Sequence, residues 1–295
     1  MDGILNIYKE AGYTSHDVVA KLRGILGMKK IGHTGTLDPA AEGVLPVCLG
    51  KATKLCDLLT DKDKTYRAGM LLGKETDTQD MTGTVLRESP VEVTEDMVRR
   101  TAAGFTGTIR QIPPMYSAVR VNGQHLYQLA RRGQTVERPA REVKIYGIAI
   151  EEMAIPHVTL YVECSKGTYI RTLIHDMGQA LGCGAAMDSL VRIRAGAFRV
   201  EESLRLAEVE ALRDRGELAS AVTPIAAMLT HLPSFYCAAD REKELKNGNP
   251  LRPGWGRCPD GTGEEMAVFD ENGSLVGVYR LRPETGMLHP VKRFL

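Results

Sequence analysis

Lys29-Lys-Ile-Gly-His-Thr-Gly-Thr-Leu-Asp-Pro-Ala-Ala-Glu-Gly-Val-Leu-Pro-Val-Cys-Leu-Gly-Lys-Ala-Thr-Lys-Leu55 is the stretch on which the reading of this chain turns. It sets one carboxylate, Asp38, among glycines and prolines rather than on a periodic helix face. Gly32, Gly35 and Gly43 permit backbone shapes and close approaches that other residues resist. Pro39 fixes its own φ and biases Asp38 away from the helical region, so Asp38 sits at a stiff corner. Val44 to Leu49 follows as an apolar run and reads as a buried strand. A lone Asp on a rigid loop beside a core strand presents one nucleophile well. Leu-Asp-Pro by itself is also an ordinary turn, in which Asp bonds its own backbone.

The surrounding chain has 295 residues, 43% hydrophobic and 25% charged, which suits one large or two ordinary globular domains. Its net charge of +1 carries no global nucleic-acid signature, so any such binding rests on a local patch. One patch stands out. Arg110 to Lys144 holds Arg110, Arg120, Arg131, Arg132, Arg138, Arg141 and Lys144 against Glu137 and Glu142, a local balance of +5. His125 and Tyr127 lie among these arginines, which suits a phosphate backbone and a stacked base, although an ordinary exposed helix and loop fits the charge equally well. Cys48, Cys56, Cys164, Cys183, Cys237 and Cys258 include no Cys-x-x-Cys, and no His-x-x-x-His occurs, so no metal site is expected. Met1 to Lys9 lacks the basic and apolar regions of a signal peptide, and no apolar run reaches membrane-spanning length. A cytoplasmic address with reduced cysteines and no membrane partner is expected.

Taken in order, Gly3 to Ile7 reads as a strand. Thr14 and Asp17 have capping-box spacing, and Val18, Val19, Leu22, Ile25 and Leu26 then share a helix face that stops near Gly27. Lys29 and Lys30 fit a solvated helix end or a phosphate contact. Lys51 to Leu59 reads as a helix and Lys64 to Gly73 as a core strand carrying Tyr66. Gly73 to Gly83, with Asp77 and Asp80 in it, reads as a solvated turn rather than a metal site from those two carboxylates. Thr94 to Ala103 reads as a surface helix, and Val143 to Ile150 and Val158 to Cys164 as antiparallel strands. Thr168 is a plausible N-cap for a helix whose buried face holds Ile170, Leu173, Ile174, Met177 and Leu181. Asp188 to Ile193 reads as a short strand, and Glu202 to Arg213 and Pro224 to Leu229 as closing helices. After a linker at His231 to Pro233, Asp240 to Asn247 reads as a short helix. Met266 to Phe269 and Leu275 to Leu281 read as a hairpin about Glu271-Asn272-Gly273. This order predicts an α+β fold with a mixed, largely antiparallel sheet and a cleft across its middle.

Gly32 to Leu45 has the form G-H-T-G-T-L-D-P-x-A-x-G-V-L, and it resembles the catalytic motif of the TruB family, the tRNA pseudouridine-55 synthases. Lys64-Thr-Tyr66, Pro113-Pro-Met-Tyr-Ser-Ala118, Lys166-Gly-Thr-Tyr-Ile-Arg171 and Leu190-Val-Arg192 resemble further strings of that family. The resemblance implies a pseudouridine synthase fold and isomerisation of uridine to pseudouridine in the tRNA T-stem-loop, with no cofactor. It implies catalytic roles for Asp38, Arg171 and Tyr66. It implies contact with the flipped nucleotide from His33, Tyr66, Tyr169 and Leu190; Lys29 and Lys30, by their place beside the loop, and Arg131 and Arg132, by the charge of their segment, are the candidates for contact with the RNA. Residues 1–231 would form the catalytic domain, with an RNA-gripping insertion at about 110–144. Residues 232–295 resemble, more loosely, the small β-rich RNA-binding PUA module. A monomer without an obligate protein partner is expected. The residues leave other readings open: an RNA-binding protein without needed catalysis, a guide-RNA-dependent relative, or a glycosidase if Glu42 were a second carboxylate at the right distance.

Overall fold

The computed structural model describes residues 1–121 and 123–295; Asn122, part of the basic segment, lies outside them. The chain opens with β1 (Gly3–Lys9), α1 (Ser15–Leu26), β2 (Ile31–His33) and β3 (Glu42–Leu49). A 3-10 turn, Gly50–Leu55, runs into α2 (Cys56–Thr60). Then come β4 (Lys64–Leu72), the small hairpin β5 (Lys74–Thr76) and β6 (Val85–Glu88), α3 (Glu95–Gly104) and β7 (Gly107–Gln111). The basic segment carries β8 (Arg120–Val121), β9 (Gln124–His125) and α4 (Leu126–Ala130). Next are β10 (Arg141–Ala154), β11 (His157–Cys164), α5 (Ile170–Leu181), β12 (Ala185–Ala195), β13 (Phe198–Arg199) and α6 (Leu206–Asp214). The last part holds β14 (Ser234–Cys237), α7 (Glu242–Asn247), β15 (Gly256–Arg257), β16 (Glu265–Phe269), β17 (Leu275–Arg282) and β18 (Met287–Arg293).

The main sheet runs β1-β3-β12-β4-β11-β10-β7, with β2 on β3 and β13 on β12. Among the described residues β12 and β3 pair in parallel, and the other pairs of this sheet are antiparallel. That is the mixed, largely antiparallel sheet the sequence predicted. Helices α3 and α5 cover one part of a face, where Met70, Leu160 and Val162 meet Leu173, Ile174 and Met177. Helices α1 and α6 cover another, where Leu5, Ile7, Leu45 and Val47 meet Val18, Leu22 and Val209. β3 is buried on both sides, which is why it reads as a continuous apolar run instead of an alternating one. Helix α1 begins as predicted: the Thr14 side chain accepts from the Asp17 N–H, and the Asp17 carboxylate accepts from the Thr14 N–H. It ends at Gly27, whose left-handed φ of 60° suits glycine.

Several elements depart from the sequence reading. Gly50–Leu55 is 3-10 and only Cys56–Thr60 is α-helical, because the segment turns tightly to dock beneath β3. The closing helices shrink to α6 and a 3-10 turn at Ile225–Met228. β12 is eleven residues long, nearly twice the expected strand, because it pairs with β4 along its length. The N-cap of α5 is Tyr169 rather than Thr168; the Thr168 hydroxyl donates back to the Ser165 carbonyl (2.9 Å). The ends of the basic segment are not part of a protrusion. Arg110 pairs with Glu142, and Thr108 with Lys144, inside the main sheet, so residues 112–140 are the part of the segment outside those two strands. The C-terminal domain holds its own sheet, ordered β15-β14-β16-β17-β18, around Phe235, Leu251, Val268 and Tyr279.

Candidate active site

Asp38 lies in the loop between β2 and β3, and three side chains from elsewhere hold that loop. The Leu37 N–H donates to the Ser15 hydroxyl (2.9 Å) at the first turn of α1. Lys9, at the end of β1, is fully buried and donates to the carbonyls of Pro39 (3.1 Å) and Ala41 (2.6 Å). Burial strips its hydration and pulls its pKa down to about 8. Arg192, 1% exposed on β12, donates to the carbonyls of Val44 (2.6 Å) and Gly35 (3.0 Å). The loop is therefore fixed by charge-assisted bonds to its backbone.

The Asp38 carboxylate meets Arg171 from the first turn of α5, with Oδ2 3.0 Å from Nε. Residues 133 positions apart in sequence are thus paired at the heart of the fold. The arginine is 5% exposed, and its remaining donors are engaged: Nη1 with the Thr78 carbonyl (3.0 Å), Nη2 with the Tyr116 carbonyl (2.8 Å). Asp80 stands 3.6 Å from Nη1 and is itself buried. Its carboxylate accepts from the Thr78 hydroxyl (2.8 Å) and the Thr82 N–H (3.0 Å). The turn read from sequence as solvated is therefore a buried support for Arg171. The Asp38 side chain keeps 39% of its surface open to the cleft. Burial pushes its carboxyl above the ordinary value; Arg171 and Lys9 pull it down, and Asp80 pushes it up.

A cavity of about 540 Å³ opens over this pair. Asp38, Tyr66, Tyr169, Arg171 and Leu190, all named from the sequence, line it together. Tyr66 on β4 is buried beside its cross-strand partner Arg192. Burial pushes its phenol up, and Arg192 pulls it back. Tyr169 is fastened at the start of α5 by Gln111: its N–H donates to Oε1 (3.1 Å) and its carbonyl accepts from Nε2 (3.2 Å). Lys64, two residues before Tyr66, also lines the cavity, and burial lowers it to about 8.

The other sequence candidates lie elsewhere. His33 is half-buried at the end of β2, edge-on to His16 (5.4 Å between ring centres), with Nδ1 buried and unpartnered. Burial, then His16 and Arg192, bring it down to about 4. Lys29 and Lys30 are exposed just before β2. Arg131 and Arg132 are exposed after α4; Arg131 lies over the Tyr127 ring (5.6 Å), and Tyr127 stacks on His125 (5.3 Å). The cavity walls take none of these five. Sequence reasoning assigned no role to Lys9, Lys64, Asp80, Gln111 or Arg192. Lys64 and Arg192 stood inside quoted strings, and nothing in the pattern marked the others.

A model described as the TruB family pseudouridylate synthase N-terminal domain matches residues 23–170, and one described as the tRNA pseudouridylate synthase B C-terminal domain matches 171–230. The chain is 48% identical to a tRNA pseudouridine synthase B of Lachnoclostridium phytofermentans, over 100% of both chains. It is 42% identical to that of Bacillus licheniformis, over 99% of this chain and 97% of the relative. Among solved structures, a Cbf5-Nop10-Gar1 complex aligns with a TM-score of 0.74 at 29% identity, over 99% of this chain and 85% of the other. An H/ACA RNP bound to a substrate RNA containing 2′-deoxyuridine aligns with the same TM-score at 27% identity and the same coverage.

Proposed function

We propose that this chain, which belongs to the TruB family of pseudouridylate synthases and pseudouridylates tRNA, acts on the uridine at position 55 of the T-loop. The supporting observation is the Asp38–Arg171 pair on the wall of a cleft that Tyr66, Tyr169 and Leu190 also line. The base must leave its stack to reach a carboxylate so placed, at a cost of a few kcal/mol. Exposed cations offset that cost through phosphate contacts; Lys29, Lys30, Arg131 and Arg132 are the candidates. Tyr66, Tyr169 and Leu190 pack against the extruded nucleotide, with His33 supporting the loop from outside the cleft.

In the reaction the N1–C1′ bond breaks, the base turns, and a C5–C1′ bond forms while the C5 proton leaves and N1 gains one. Atoms in equal atoms out, so the isomerisation consumes no co-reactant. Asp38 acts ionised. It adds to C1′, adds to the base, or takes the 2′ proton, and each route needs the same carboxylate facing the same cleft. Arg171 holds it there and offsets the burial that would protonate it. Burial keeps Tyr66 a neutral phenol, which suits stacking; a role in receiving the C5 proton requires Arg192 to stabilise the phenolate.

Residues 1–231 serve as the catalytic domain and 232–295 as a PUA-like RNA-binding domain. We place the protein in the cytoplasm, acting as a monomer without guide RNA or an obligate protein partner. Full-length identity to tRNA enzymes supports this over a guide-dependent role. The test is a map of modified uridines in a tRNA transcript. Wild type converts position 55, and Asp38→Asn converts none while still binding the transcript. Turnover by Asp38→Asn at a near wild-type rate would remove the assignment.

A further inference from the structure

Across helix α5 from the cleft lies a second cavity, of about 350 Å³. Gln79 reaches it from the turn between β5 and β6, Arg110 from β7, and Arg138 from the chain leading into β10. Thr172, His175 and Asp176 complete the wall from α5. Those three stand at i, i+3 and i+4 and so share one face of the helix. Arg171, adjacent to Thr172, turns instead toward Asp38. One helix thus separates the catalytic cleft from a second polar chamber.

The chamber holds buried polar nitrogens that lack partners. Among the described residues, neither Arg110 nor Arg138 is paired with a carboxylate. Arg138 donates from Nη1 to the Pro113 carbonyl (3.1 Å), but its Nε is buried without a partner, and so is His175 Nδ1. Buried donors without acceptors are destabilising and uncommon, so each calls for a cause. Gln79 adds backbone strain: it is not glycine, yet its φ is 63°. Its Oε1 accepts from the Thr172 hydroxyl (2.8 Å), which leaves its amide NH₂ as a further donor at the chamber. Asp176 also brings a carboxyl to the wall, and burial pushes its pKa up.

We propose that this chamber is a second anion site, which seats one phosphate group on Arg110, Arg138 and Gln79. Two guanidinium forks suit the oxygens of a phosphate better than they suit a single point charge. Arg110 and Arg138 flank the base of the basic segment on β7 and before β10, where the backbone of an RNA lying on that segment is within reach. The occupant is a backbone phosphate of the RNA or free inorganic phosphate. The RNA arm of the test rests on the function proposed above; the phosphate arm does not.

The phosphate arm is isothermal titration of the full chain with inorganic phosphate against chloride at constant ionic strength. Wild type binds phosphate, Arg110→Gln binds it about tenfold more weakly, and the exposed α3 pair Arg99→Gln/Arg100→Gln stays within about twofold of wild type. Arg110 is exposed and makes no side-chain bond that folding needs, so its variant is a fair probe. The RNA arm measures T-stem-loop affinity against salt. If the backbone is the occupant, the slope of log Kd on log salt falls by about one in Arg110→Gln, and added phosphate competes with RNA in wild type only. If free phosphate is the occupant, the slope holds and the titration still weakens. Phosphate binding unchanged in Arg110→Gln, absent in wild type, or lost equally in the Arg99/Arg100 pair would overturn the proposal. Failure of the uridine reading would show separately, as wild type that binds phosphate but leaves position 55 unmodified.

Discussion

Arg171 matters through its shape as much as its charge. One guanidinium reaches the Asp38 carboxylate, the Thr78 carbonyl and the Tyr116 carbonyl at once. A lysine ammonium keeps the charge but has no planar fork to span them. Arg171→Lys is expected to lose on the order of a hundredfold in single-turnover rate on T-stem-loop RNA, and a wild-type rate would reduce the residue to a distant charge. Asp80 works on the same carboxylate with the opposite sign. Its negative charge favours protonated Asp38; with Asp38 acting ionised, as proposed above, the rate should fall as pH drops through the Asp38 pKa. Asp80→Asn removes that repulsion and is expected to move the acid limb of the pH–rate profile to lower pH; an upward shift would contradict the arrangement. His33 bears on stability instead. Its ordinary value is 6.5 and its folded value about 4, so the unfolded chain binds more protons between these limits and stability falls as pH drops across them. Urea unfolding at the two ends of this window should show His33→Gln losing less stability on acidification than wild type, by about 2 kcal/mol after allowance for partial exposure. At this scale much of the cleft was legible. Asp38, Tyr66, Tyr169, Arg171 and Leu190 sit in short, specific strings, and the structure brings all five to one cavity. Lys9 and Asp80 were not legible. Lys9 works by bonding backbone carbonyls distant in sequence, which no side-chain pattern announces, and a buried Asp in a Thr-rich turn reads the same as a solvated one.

Between elements, the close approach of β3 and β12 positions the cleft. Gly43 opposes Arg192 across their parallel contact, with φ at 100°. A Cβ placed there would stand 2.3 Å from the Arg192 carbonyl oxygen. That clash falls on backbone, not on a flexible side chain, and it displaces the residue whose guanidinium holds Val44 and Gly35. Gly43→Ala is expected to cost about 3 kcal/mol in chemical denaturation and to depress turnover further than the lost stability explains. A loss below about 1 kcal/mol would mean that β3 and β12 move apart easily. The elements that were easiest to read were those with local signals: the Thr14–Asp17 box of α1 and the alternating pattern of β11. The others take their form from distant partners. β12 runs to eleven residues because β4 lies beside it, and Arg110 and Lys144 fall in strands because β7 and β10 pair. No window of the sequence contains both members of such a pair, so the extent of each strand stays hidden until the sheet forms.

Across the whole molecule, the two sheets share an apolar interface. Ile4, Val44, Cys48 and Leu55 from the main body meet Ala267, Val278 and Phe294 in one buried cluster. Polar ties reinforce it: Lys292 reaches the Asp57 carboxylate (2.7 Å) and the Lys54 carbonyl (2.7 Å), and Lys54 reaches the Arg293 carbonyl. These ties land on the 3-10 turn and on α2, and α2 ends at Thr60, on the wall of the cleft next to Asp61 and Lys64. The final strand of the chain therefore backs onto the segment that leads to one rim of the cleft. Phe294→Ala, near the C-terminus and 4% exposed, empties a site in that cluster and is expected to cost about 3 kcal/mol by denaturant unfolding. Its kinetic effect separates two roles for the C-terminal domain. If that domain only grips RNA away from the target loop, a minimal T-stem-loop should react with the Phe294→Ala variant as with wild type, and only full tRNA should bind worse. If it also braces the rim, the minimal substrate should react several-fold more slowly as well, because Thr60 and Lys64 lose their backing. The continuous cluster and the three ties to residues 54–57 favour the second outcome, and equal rates on the minimal substrate would refute it.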